Sequence, residues 1–207
     1  MQQNQNVLLE LVVTQVLTPY PIDYAGIPRT IIQQAVNAIP QRAFGVFVTV
    51  RRSAQQKRST WPEDIHGCIG WWDDDFREVD RVRLFLHLMD VAYGASWEDD
   101  RRRYFAPLRL DPSATVEVDF MMLPVYVVDP RSGRLLMFGR TERFNNDQYG
   151  LIVDDRLTGH RATYLPHVFP ATMPWTQLRN SLLHKASTSA GVFYAYRIVQ
   201  YTKQLVG

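Results

Sequence analysis

The sequence predicts an α+β fold with a largely antiparallel sheet flanked by helices. Three observations predict it. Strand-like and helix-like segments are intermixed without the regular strand–helix alternation of a doubly wound parallel sheet. "TVEVDFM" (residues 115–121) alternates apolar and acidic side chains, as a half-covered strand does. "RLTGHRATYL" has the turn chemistry of a hairpin through Thr158 and Gly159. No Gly/Ser-rich or Pro-rich linker divides the chain, so residues 1–207 read as a single domain, with two lobes compatible with that length.

Val7 to Leu17 reads as a helix, with Asn6 at its N-cap and Pro19 closing it. Pro28 to Ile39 reads as a second, Pro28 suiting a first turn and Pro40 ending it. "GVFVTV" (residues 45–50) fits a strand buried on both faces. "RRSAQQKRSTWPED" is a polar, basic connector read as a solvated loop. The clearest helix follows, with Asp75 as cap and Glu78 as box partner, and Val79, Val82, Leu86, Met89 and Tyr93 on its apolar stripe, widened by Phe85, Leu88 and Ala92. Gly94 sits where a left-handed C-terminal cap would belong. After the 115–121 strand, with Glu117 and Asp119 on its solvent side, come short strands in "PVYVV", "RSGRLLMF" and "YGLIVDD". Pro174 to Ala186 reads as a helix with Leu178, Leu182, Leu183 and Ala186 inward, and "GVFYAYRIVQYT" as a final strand.

The 207 residues are 46% hydrophobic, and the formal charge is only +2. That balance carries no basic footprint for nucleic acid or an anionic membrane. No apolar run approaches the roughly 20 residues of a bilayer span, and the first residues lack the pattern of a secretory signal. A single cysteine suits a reducing compartment, so the expectation is an intracellular protein, cytoplasmic or nuclear.

That cysteine lies in "HGCIGWWDDDF". If residues 65–69 are extended, His66 and Cys68 share a face, where an imidazole can take a thiol's proton. Gly67 and Gly70 leave the backbone open to a ligand or to another chain segment. Packing alone also explains a small cysteine between glycines. Asp73 to Asp75 read as capping residues before a hard-metal site. His66 and Cys68 make only two zinc ligands, with no CxxC or HxxxH to complete the set, so no metal is assigned. Among Glu98 to Arg103, "EDDRRR" reads as a salt-bridged surface or an anion clamp, and Lys185 suits a helix C-terminus. No P-loop, GxGxxG or GxSxG motif is present, and the residues name no cofactor or substrate.

"FVTV" followed by "HGCIG", then "RATYLPHV", then Trp175 with the leucines up to Lys185-Ala186, resembles the AMMECR family over about residues 45–204. The resemblance implies two similar halves around a barrel-like antiparallel sheet, with a cleft beside the Gly-Cys-Ile-Gly motif and the Lys185 helix. Taken with the shared face of His66 and Cys68, it points to catalytic roles for Cys68, His66 and Lys185, and to ligand contacts at Gly67, Gly70, Arg101, Arg103 and Tyr164. It also implies an enzyme or enzyme accessory in redox or modification chemistry linked to Memo-type and radical-SAM proteins, the alternative being a non-enzymatic interaction domain. The partner would be an unidentified small molecule or protein. The chain departs from the family at His66 (arginine elsewhere), at Ser187 (glycine) and at Tyr149 (commonly histidine). In its "DDRRRYFAP" stretch, Arg101, Arg102 and Arg103 compete for one arginine's place.

Overall fold

The computed structural model of the chain describes residues 2–52, 65–105, 108, 111, 113–137, 140–170 and 172–205; the basic connector predicted as a loop lies mostly outside them. Helices and antiparallel strands are mixed, as expected. The chain forms two compact units, one of residues 1–121 with 199–207, the other of residues 122–198.

In the first unit, α1 (Gln2–Leu17) begins earlier than the sequence suggested, so Asn6 lies inside it rather than at its cap. Leu8, Leu9, Val12, Val13 and Val16 bury one side, overriding the modest helix propensity of the valines. Buried Gln15 pins the following loop: its amide donates to the Tyr20 carbonyl at 3.0 Å and accepts from the Ile22 amide at 2.9 Å. The second helix, α2 (Arg29–Ala38), starts directly after Pro28.

Next come β1 (Ala43–Arg51), almost wholly buried, and β2 (Ile65–Trp72), its antiparallel partner. The long helix α3 (Arg81–Trp97) starts later than predicted: Asp80, not Asp75, is its cap, accepting from the Val82 and Arg83 amides at 2.9 and 3.2 Å. Asp73 instead closes a turn by accepting from the Asp75 and Arg77 amides. Gly94 lies within the helix, and Val82 and Leu86 face outward, 53% and 47% exposed. The apolar stripe runs through Leu84, Phe85, Leu88, Met89, Val91, Ala92 and Ala95. A short 3-10 helix (Asp100–Tyr104) follows.

β3 (Thr115–Val128) and β8 (Val192–Gln204) each run from one unit into the other. The first unit's strand order is β2-β1-β3-β8. Val116, Val118 and Phe120 are fully buried, but Asp119 is too, at 2% exposure, with Gln200 donating to it at 2.9 Å. The solvent-facing reading therefore fails for Asp119.

The second unit holds β4 (Arg134–Met137), β5 (Arg140–Arg143), β6 (Gly150–Asp155), β7 (His160–Tyr164) and α4 (Trp175–Lys185). β6 pairs antiparallel with both β7 and β8, and β4 pairs with both β3 and β5. β5 was not foreseen. Its core gathers Leu135, Tyr149, Leu151, Val153, Leu178, Leu182 and Phe193. Ser187 has φ +55 after α4, the left-handed position at which the resemblance expects glycine. Tyr149, in place of histidine, is fully buried and accepts from Arg197 Nη2 at 3.1 Å.

Candidate functional site

The candidate residues divide between the units. His66, Gly67, Cys68, Gly70, Arg101 and Arg103 belong to the first, Tyr164 and Lys185 to the second.

Cys68 stands directly opposite Thr49 across the β1–β2 pair. Its amide and carbonyl point out of the sheet edge instead of toward β1. Both are met by side chains from the segment after α3: the amide donates to Asp99 Oδ2 at 3.0 Å, and Arg101 Nη2 donates to the carbonyl at 3.2 Å. Arg101 and Asp99 are themselves joined, Nη2 to Oδ2 at 2.6 Å and Nε to Oδ1 at 3.0 Å. One acid–base pair thus caps the open edge of β2 at Cys68, as a neighbouring strand would. Burial raises the affinity of Asp99 for a proton. The hydrogen bonds from the Arg101 side chain, the Cys68 amide and the Arg101 amide outweigh that and hold its carboxyl below the ordinary value. The half-buried thiol accepts a hydrogen bond from Thr49 Oγ1 at 3.2 Å. Arg51 and Glu117, joined at 2.9 Å, lie on adjoining strands.

The sequence missed Asp99. Its signal was the Asp99-Asp100-Arg101 spacing, and Arg101 of that run donates to the Cys68 carbonyl. Arg102 and Arg103 are exposed.

His66 does not share a face with Cys68. Val50 pairs with Gly67 and Arg51 with Ile65, so His66 is an extra residue in β2, a bulge that breaks the alternation. It turns toward α3, with Nε2 3.3 Å from the Ser96 carbonyl and its ring 5.7 Å from that of Phe105. Cys68 points to the opposite face with its partner Thr49. His66 is 4% exposed, and its Nδ1 has no partner among the described residues. Burial lowers its pKa to about 4, with the Arg52 guanidinium acting in the same direction against the Ser96 hydrogen bond. The imidazole is neutral at pH 7 and placed to buttress α3, not to take the thiol's proton.

Of the two readings open for the glycines, chain packing is the one observed. A Cβ on Gly67 would collide with the Ala95 carbonyl, and one on Gly70 with the Phe47 ring. His87 stacks on Trp71 at 3.6 Å. Lys185 Nζ donates to the Thr163 carbonyl at 2.8 Å and lies 4.7 Å from the centre of the Tyr164 ring, whose hydroxyl meets Ser181 Oγ at 2.9 Å. Among the described residues, no group of three or more His, Cys, Asp or Glu side chains could hold a metal ion, and no helix is long and apolar enough to cross a membrane.

No curated protein matches this sequence. Among solved structures, the crystal structure of the uncharacterised protein PH0010 from Pyrococcus horikoshii is similar, with a TM-score of 0.56 and 15% identity over 97% of this chain and 89% of that one, a likeness of fold. The AMMECR1 family model matches residues 22–206, and the chain belongs to the AMMECR1 family.

Proposed function

We propose that this AMMECR1 domain is an enzyme, or an accessory to one, whose chemistry is centred on Cys68. The observation that carries the reading is the clamp of Asp99 and Arg101 on both main-chain polar groups of that residue. Edge protection alone explains a charged pair beside β2. It does not explain why the residue held there keeps a half-buried sulfur that accepts from a hydroxyl. A reactive atom needs a fixed backbone beneath it, and a hydroxyl donating to sulfur favours the charged, nucleophilic form. Redox or modification chemistry with Memo-type and radical-SAM proteins is the reaction context that family membership suggests. Arg103, in the same unit as Cys68, is the proposed ligand contact. His66 is left out of the reacting set.

Labelling with iodoacetamide, followed by intact mass, tests this. Cys68 is expected to alkylate in the folded protein, and Thr49→Val to slow the reaction severalfold, with an unchanged circular dichroism spectrum. A thiol that labels only after denaturation, or a rate indifferent to Thr49, would remove the reactive site. The non-enzymatic interaction domain would then be the better reading, favoured by the outward Val82 and Leu86 one turn apart on α3.

A further inference from the structure

The second unit contains a cavity that none of these residues line. It measures about 360 Å³, within the range of small-molecule sites. One wall is aromatic: Trp175 and Phe144, with ring centres 5.7 Å apart, backed by Met173 and Leu178. The indole is held in place from several sides. Its Nε1 donates to the Pro130 carbonyl at 3.0 Å, and its ring meets Phe193 edge-on at 5.8 Å. It lies against Gly133, where φ is +67 and a Cβ would come within 2.7 Å of the ring. Only glycine permits both that backbone and that approach. The wall is therefore formed before any ligand arrives, which lowers the cost of binding.

At the cavity, Arg143 ends β5. Its guanidinium is exposed, with no hydrogen-bond or ion-pair partner among the described residues. Directly opposite, across the β4–β5 pair, stands Arg134. Like charges facing each other across two strands are destabilising, and an anion between or beside them relieves that. Arg134 donates to the Thr141 hydroxyl at 3.3 Å, a neutral group that leaves the charge uncompensated.

We propose that this cavity binds a small aromatic carboxylate, its ring against Trp175 and Phe144 and its carboxylate on Arg143. The aromatic wall selects a flat apolar ring, the guanidinium selects a planar anion through paired N–H donors, and the volume limits the ligand to about one ring system with a short acidic arm. The site is independent of Cys68 and stands or falls without it.

Phenylacetate and its neutral counterpart phenylacetamide are the probes. The readout is the Trp175 indole N–H resonance of the full chain, assigned by its loss in Trp175→Phe. Phenylacetate is expected to shift that resonance saturably at millimolar concentration. Phenylacetamide should bind about 10-fold more weakly, and Arg143→Gln should weaken phenylacetate by about the same factor while leaving the amide unaffected. The side chain of Arg143 is exposed, so the variant keeps the fold, which an otherwise unchanged spectrum verifies. No saturable shift at Trp175, equal binding of acid and amide, or indifference to Arg143→Gln would each overturn the assignment.

Discussion

His66 shows how one inserted residue changes a chemical reading. In a regular strand, residues two apart share a face, and a histidine two before a cysteine becomes a general base. The bulge at His66 moves the imidazole to the α3 side, where burial keeps it neutral down to about pH 4. The consequence for stability has a definite sign. Above the ordinary value of about 6.5, histidine is neutral both folded and unfolded. Between about 6.5 and about 4, the unfolded chain binds a proton that the folded chain does not, so stability falls as pH falls through that window. The shift corresponds to a loss of roughly 3 kcal/mol at most. Thermal unfolding of the native protein and of His66→Asn, followed from pH 7 to pH 4, checks this: Tm should fall less steeply with acid in the variant. The imidazole resonances should show one histidine that does not titrate above pH 5. A histidine set that all titrates near 6.5 would contradict the burial argument.

At the scale of an element, α3 separates what pattern reveals from what it hides. The existence of the helix was legible because apolar residues recur every three or four positions. Its start was not, since Asp73, Asp74, Asp75 and Asp80 all have capping chemistry, and only the chain path decides which carboxylate meets free amides. The path turns at Phe76, where φ is +54, and α3 begins after Asp80. Asp80→Ala is therefore expected to cost about 1 kcal/mol, a Tm decrease of roughly 3 °C. Asp75→Ala should cost almost nothing, and urea unfolding of the two variants distinguishes them. The same reasoning covers the site. That Cys68 sits at a close-approach corner could be read from its glycines. That Asp99 and Arg101 secure it could not, because they lie some thirty residues away and meet it only when α3 returns beside β2. β5 was hidden for another reason: "RTER" carries no apolar face, and strand pairing rather than burial defines it.

At the scale of the molecule, the chain order conceals the division into units. The first unit is discontinuous in sequence: its last strand segment comes from residues 199–204, after the entire second unit has been completed. Those late residues are well fastened. Tyr201 donates its hydroxyl to the Ala38 carbonyl at 2.9 Å and packs edge-on against Phe120 at 5.5 Å; Gln200 reaches Asp119; and the Leu205 amide donates to the Ala114 carbonyl at 2.9 Å. The first unit therefore depends on contacts of very long sequence separation, which carry a high loop-closure cost and form only when β8 arrives. Tyr201→Ala removes a partly buried ring and a hydrogen bond together and is expected to destabilise by about 2 kcal/mol. The informative readout is where that loss falls. Hydrogen exchange should speed up in α2, β1 and the first half of β3, with little change in β6, β7 and α4, whose core of Leu151, Val153, Leu178, Leu182 and Phe193 lies wholly within residues 122–198. Acceleration of equal size in both sets would mean that the two units open as one, and that β3 and β8, which run through both, couple them into a single cooperative structure.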